Sequence, residues 1–161
     1  MNKLIKNIRP LLLLLLCTPF TSTGQVTAPA PYDASVKKNY VREWSPTAPI
    51  SDASIVPTRP VEEVKRTTTY IDGIGRPLQS VSKQVTPAKK DVITAMVYDE
   101  YGREVNKYLP FVSTTTGSGE VTNDGSFKLN PFQQQAAFMN AQYGAQGETI
   151  ITVSKILKGR L

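Results

Sequence analysis

The chain has 161 residues, with 19 Lys and Arg against 13 Asp and Glu for a net charge of +6, one cysteine and no histidine. With no imidazole and a single thiol, the usual general base, a Cys/His nucleophilic pair and the Cys/His zinc sites are excluded. The sequence therefore points to no catalytic, cofactor-binding or metal-binding residue.

Met1 to Arg9 carries Lys3, Lys6 and Arg9 with no acid, and Leu11 to Leu16 is an unbroken apolar run. A bilayer-spanning helix needs roughly 20 apolar residues, so this pattern reads as a signal peptide over residues 1–24, cut between Gly24 and Gln25 after small residues. The alternative is lipid modification at Cys17, which Leu16 makes a poor match. Either way the expected location is secreted or cell envelope, with no membrane span in the mature chain. The segment holds three cations and no acid, so removing it lowers +6 to +3. That modest charge, without clustered Lys or Arg between aromatics, predicts no nucleic-acid partner. About 137 residues remain, enough for one modest domain.

Residues 25–38 read as a linker because Val26 to Pro31 is dominated by Ala and Pro. Asn39 to Trp44 alternates as a short strand. Ser45 to Pro60 contains Pro46, Pro49, Pro57 and Pro60, each lacking a ladder donor, which predicts a loop. Trp44 is expected to anchor against the sheet.

Residues 64–111 say the same thing twice. Asp72-Gly73-Ile74-Gly75-Arg76 and Asp99-Glu100-Tyr101-Gly102-Arg103 share Asp, Gly and Arg, and Asp99 follows Asp72 by 27 residues. β-prone runs enclose each copy, Val64 to Ile71 and Leu78 to Val85, then Val92 to Tyr98 and Val105 to Leu109. The pattern predicts two successive antiparallel β-hairpins. Asp opens each turn by accepting backbone N–H bonds, and Gly closes it where φ is positive. A type I turn followed by a left-handed glycine fits both copies. Val64 to Tyr70, with Lys65, Arg66 and three threonines, suits an exposed strand. Asp91 to Tyr98 is apolar on both faces and suits a covered one. Between them Pro87 to Asp91 reads as a solvated turn.

Thr114 to Gly125 is rich in Thr, Gly and Ser and reads as a flexible loop; with no Gly-Lys-Ser/Thr sequel it is no P-loop. Gly73-Ile74-Gly75 fails as a dinucleotide fingerprint, since Leu78 stands at the third glycine position. Asn130 then offers an N-cap, Pro131 a first helical residue, and Gly144 a stop, which predicts a helix over 131–143 with Phe132, Ala136, Met139 and Tyr143 on one face. The fold class is thus mainly β, consecutive antiparallel hairpins of period about 27 with one short C-terminal α-helix.

Tyr98, Asp99, Gly102 and Arg103 form the pattern Tyr-Asp-x-x-Gly-Arg, which resembles the YD repeat of RHS-type proteins, large secreted bacterial shells of wound β-hairpins. The longer string, Tyr70 to Gln79, Asp91-Val92, Tyr98 to Arg103 and Tyr108 to Phe111, resembles the uncharacterised domain that precedes the RHS repeats in Bacteroidota. It departs from the repeat at Ile71, where copy two has Tyr98, and at Gly73, where copy two has Glu100. The resemblance implies a pre-RHS domain over 39–149 and a non-catalytic structural role, with downstream RHS repeats as partner. The repeat-motif residues Asp72, Gly73, Gly75, Arg76, Tyr98, Asp99, Gly102 and Arg103 are then structural. The arginines cover apolar surface and bond turn or neighbouring carbonyls. Two other readings stay open. Trp44, Tyr32 and Tyr40 would stack on sugars in a module that binds a cell-surface glycan. Asp72 and Asp99 would be the acids of a small carboxylate-dependent hydrolase.

The tail 150–161 turns abruptly to Ile, Lys and Leu. The resembling domains continue with Tyr-Tyr-Ser and then Asn-Phe-Glu-Gly-Ser-Pro. Lys155 to Leu161 can be coded AAA ATT TTG AAG GGT CGC CTT, and skipping two bases of that string reads Asn-Phe-Glu-Gly-Ser-Pro. The tail is therefore expected to be non-native, from a frameshift or truncation, and the chain a fragment of a longer repeat protein.

Overall fold

The computed structural model describes residues 28–35, 37–104, 106–113 and 123–144, together with the backbone of 152–154. The predicted signal segment with Cys17, Gly24 and Gln25 lies outside the described residues, as do most of the 114–125 loop and most of the tail.

The strands β1 (Asn39–Pro46), β2 (Val64–Ile71), β3 (Pro77–Ser82), β4 (Val92–Ala95) and β6 (Phe111–Val112) form one antiparallel sheet in the order β1-β2-β3-β4-β6. Between β4 and β6 lies β5 (Asn106–Tyr108), which pairs with β7 (Thr152–Ser154) in a second, two-stranded sheet. Among the described residues one α-helix, α1 (Pro131–Tyr143), follows β6. The mainly β class with a short C-terminal helix is as predicted.

Strand alternation explains where the core sits. Thr68 and Tyr70 of β2, Gln79 and Val81 of β3, and Ile93 and Ala95 of β4 all face inward and are buried. Tyr70, Val81, Ile93 and Phe111 form one cluster, with Phe127 and Phe138 against it. Ala95, Tyr108 and Phe132 form a second, joined by Tyr32 and Val97. Burying each large apolar side chain contributes about 1.5–3 kcal/mol.

Several expectations need correction. β2 is not an exposed strand, because β1 pairs along its whole length from Asn39 opposite Ile71 to Pro46 opposite Val64, making β2 interior. β4 is covered unequally: Ile93 and Ala95 are buried, whereas Val92 and Thr94 on the other face are only partly buried. The Ser45–Pro60 segment contains a 3-10 helix, Ala53–Thr58, whose first turn is opened by the Asp52 carboxylate accepting from Ser54 N. The 25–38 linker is not free of the domain. Tyr32 N donates to the Leu129 carbonyl at 2.9 Å, and its ring lies 5.0 Å from Phe127 and 6.0 Å from Phe132. Asn130 precedes α1 but its side chain makes no capping bond. The buried helix face carries Phe132, Gln135 and Met139 rather than Tyr143, which is 55% exposed. Burial runs along the helix as far as Met139, and residues 140–143 are exposed.

Candidate functional site: the paired turns

Both motif copies build the same turn. Asp72 N donates to the Arg76 carbonyl at 2.9 Å and Gly75 N to the Asp72 carbonyl at 3.1 Å, while the Asp72 Oδ1 accepts from Ile74 N at 3.0 Å and Arg76 N at 2.8 Å. In copy two the bonds repeat, with Asp99 Oδ1 accepting from Tyr101 N at 3.0 Å and Arg103 N at 2.8 Å. Gly75 has φ +87° and Gly102 φ +75°, a region that costs an L side chain about 1–2 kcal/mol. Gly73 has no positive φ and open space where a Cβ would sit, which explains how Glu100 fills the same position in copy two.

The arginines differ from expectation in their partner. Each Nε donates to the carboxylate of its own turn, Arg76 to Asp72 Oδ2 at 2.7 Å and Arg103 to Asp99 Oδ2 at 2.8 Å, rather than to carbonyls. These bonds set the carboxyl chemistry. At Asp99 the Arg103 backbone N–H leads the causes that hold the pKa below its ordinary 3.8. At Asp72 partial burial pushes upward, and the Arg76 backbone and guanidinium bonds outweigh it, so this pKa too is lowered. Both groups are hydrogen-bonded anions, the opposite of the raised pKa a general acid needs.

Copy two rests on copy one. The Arg76 guanidinium carbon lies 4.7 Å from the Tyr98 ring centroid, a cation–π distance, and the Tyr98 hydroxyl donates to the Pro77 carbonyl at 2.9 Å. A Cβ on Gly102 would come within 2.8 Å of Arg76 Nη1, so the glycine also makes room for the preceding arginine. Burial, with a smaller contribution from Glu104, raises the Tyr98 pKa and keeps the hydroxyl a donor.

Of the three aromatics read as sugar platforms, Tyr32 is engaged inside. Its hydroxyl donates toward the Leu78 and Met96 carbonyls at 3.4 and 3.3 Å, and burial followed by Tyr98 pushes its pKa up to about 12. Tyr40 is 53% exposed, and Arg42 lies between it and Trp44, at 4.9 and 5.9 Å from the two rings. Among the described residues no group of three or more Cys, Asp or Glu side chains converges to hold a metal. None of the described helices is long and apolar enough to cross a membrane.

Sequence reading missed Asp91, which it placed in a solvated turn. Its side chain is fully buried and accepts from Gln84 N at 3.0 Å, Gly125 N at 2.8 Å and Lys128 Nζ at 3.3 Å. Lys128 is itself fully buried. The one available signal was register, since 27 residues before Asp91 stands the core residue Val64.

Comparison with known proteins gives one assignment. The family model described as Domain of unknown function (DUF6443) matches residues 42–156, which takes in both turns, α1 and β7. Neither the curated proteins nor the solved structures contain a match.

Proposed function

The chain belongs to the family of that domain of unknown function (DUF6443), and we propose that it acts as the non-catalytic structural N-terminal segment of a secreted RHS/YD-repeat protein, a shell or scaffold for a larger chain. The observation that carries this reading is the seating of one turn motif on the previous one through Arg76, Tyr98 and Pro77. A motif that both forms its own turn and grips its predecessor is suited to an array in which each unit contacts only its neighbours. The basic and apolar N-terminus supports export. In this role the domain is the first layer on which downstream hairpins are laid.

DNA sequence beyond the Leu161 codon tests the reading. Repeat-coding hairpins in any frame are the expected result; a locus with none sinks it. An extracellular glycan-binding module is the second reading, favoured by the exposed Tyr40 beside Arg42 and Trp44. Titration of purified protein with cell-wall glycans separates the two. Binding lost in Tyr40→Ala favours the glycan module, and a structural segment shows no binding.

A further inference from the structure

We infer that Arg103 and the Glu104 carbonyl form the acceptor for a third Tyr-Asp-x-x-Gly-Arg turn, and that such arrays grow in one direction, from Ile71 towards Arg103. The inference rests on the structural-segment reading above and adds the residues that make the next joint.

The internal precedent supplies the geometry. The side-chain joint between the two turns uses the tyrosine and glycine of copy two and the arginine and following carbonyl of copy one. Moving one period of 27 along the chain carries Arg76 to Arg103 and Pro77 to Glu104. Arg103 already has the right posture, with Nε on Asp99 as Arg76 has on Asp72. What it lacks is cover: its side chain is 62% exposed against 35% for Arg76. One face of its guanidinium lies over Tyr101 of its own turn, at 5.0 Å, where copy one has Ile74 and no ring. A planar cation has a second face to offer an incoming tyrosine.

Direction follows from the other end. Copy one has Ile71 where copy two has Tyr98, and one period before Arg76 stands Pro49. With no preceding arginine to grip, copy one needs no gripping tyrosine. It therefore starts the run.

The backbone agrees. In copy one, Gln79, Ser80 and Val81 of β3 pair with Ala95, Thr94 and Ile93 of the next hairpin's leading strand. One period later Asn106, Lys107 and Tyr108 pair, also antiparallel, with Ser154, Val153 and Thr152 of β7. The place where a third leading strand belongs thus accepts a strand.

The test replaces residues 155–161 of the full chain with a second copy of residues 96–112, so that β7 leads into a third turn. Tyr→Phe in the added turn should lower the folding equilibrium constant about 3- to 10-fold, the scale of one hydrogen bond. Arg103→Gln should shrink that effect, because the arginine fixes the ring that carries the hydroxyl. Added-turn amides should also exchange more slowly with deuterium than in the isolated 96–112 peptide. Strictly additive effects, or exchange at the peptide's rate, overturn the inference. Should the extended chain not fold, the double-mutant cycle of Arg76→Gln and Tyr98→Phe in the unextended protein replaces it: non-additivity supports the joint, and additivity removes the precedent. A dimer of the unextended chain that Arg103→Gln dissolves gives this surface to a second copy and overturns the proposal. A locus without repeats sinks the structural-segment reading but leaves the engineered joint standing. Repeats in the locus with no coupling in the extended chain sink only the joint.

Discussion

The two motif copies share their turn almost bond for bond and differ in everything the turn leads to. Asp72 and Asp99 each bind the same two backbone N–H groups at the same distances, 3.0 and 2.8 Å. After turn one the chain runs straight back as the six residues of β3, with a single register shift between Tyr70 and Ile71. After turn two the return is broken into β5 and β6 around Leu109 and Pro110. Lys107 faces Met96 and Phe111 faces Ile93, so four steps on the return strand oppose three on β4, which is a bulge. Pro110 has no N–H to give the ladder, and beside it the Leu109 carbonyl accepts from Gln135 Nε2 of α1 at 2.6 Å. The lesson is that Asp-x-x-Gly-Arg specifies a turn autonomously, while the strands around it answer to their neighbours.

The comparison breaks hardest at the base of each hairpin, where copy one has Val64 and copy two Asp91. Asp91→Ala should destabilise by about 3–5 kcal/mol, since it strips Lys128 of its buried carboxylate and also frees the Gln84 and Gly125 amides. Val64→Ala should cost less, about 1.5–3 kcal/mol at most, because only apolar burial is lost. Urea unfolding midpoints of the two variants measure the difference. Asp91→Leu with Lys128→Met should recover much of the loss, because a packed apolar pair needs no compensation for desolvated charge. Equal midpoints for Asp91→Ala and Val64→Ala would show that Asp91 does not act as an electrostatic hub.

The glycines sharpen the comparison at a smaller scale. Gly75→Ala and Gly102→Ala should each cost about 1–2 kcal/mol through positive φ. Gly102→Ala should do one thing more, displacing the Arg76 guanidinium from Tyr98, because its Cβ would lie 2.8 Å from Nη1. Gly73→Ala is the control and should stay within about 0.5 kcal/mol. Thermal melts give the costs, and the Tyr98 ring resonances report the displacement. A Tyr98 signal that moves equally in Gly75→Ala and Gly102→Ala would deny the contact between copies.

What was legible in the chain follows the range of the interaction. The turn positions are readable because Asp72 and Gly75 satisfy each other within five residues, and Gly75 and Gly102 have positive φ where the motif places them. Helix α1 is readable from Pro131 at its start and Gly144 at its end, though Asn130 makes no capping bond and the buried face is chosen by the sheet. Asp91 is illegible because its cation is 37 residues away, and a lone acid after two lysines reads as solvent-facing. Tyr32 sits in an Ala/Pro stretch, and nothing near it announces that its hydroxyl reaches the Met96 carbonyl 64 residues on. The seating of Tyr98 on Arg76 lies between these cases. The repeat announces that the copies are alike, and only the fold shows that one grips the other.

The smallest expected difference between the copies is electrostatic, and it separates own-turn chemistry from cover. Both turn carboxyls have folded pKa values below their ordinary 3.8. A depressed carboxyl pKa contributes stability that is fully present above the unfolded value and is lost as pH falls through the folded one, so both turns weaken below about pH 4. Asp33, Asp52 and Glu62 are lowered as well, which makes a global melt ambiguous in that window. Side-chain carboxyl carbon shifts followed by NMR resolve the sites. Asp72 and Asp99 should both titrate below 3.8, and Arg76→Gln and Arg103→Gln should each raise the midpoint of its own aspartate towards that value. Salt then discriminates between them. Arg103 is the more exposed arginine, at 62% against 35%, so added salt should raise the Asp99 midpoint more than the Asp72 midpoint. In the chain extended by a third turn the two salt responses should converge, because Arg103 would then be covered as Arg76 is. Responses that are equal before extension would mean that the exposure of Arg103 has no electrostatic consequence, leaving the turns interchangeable in their chemistry and distinct only in their strands.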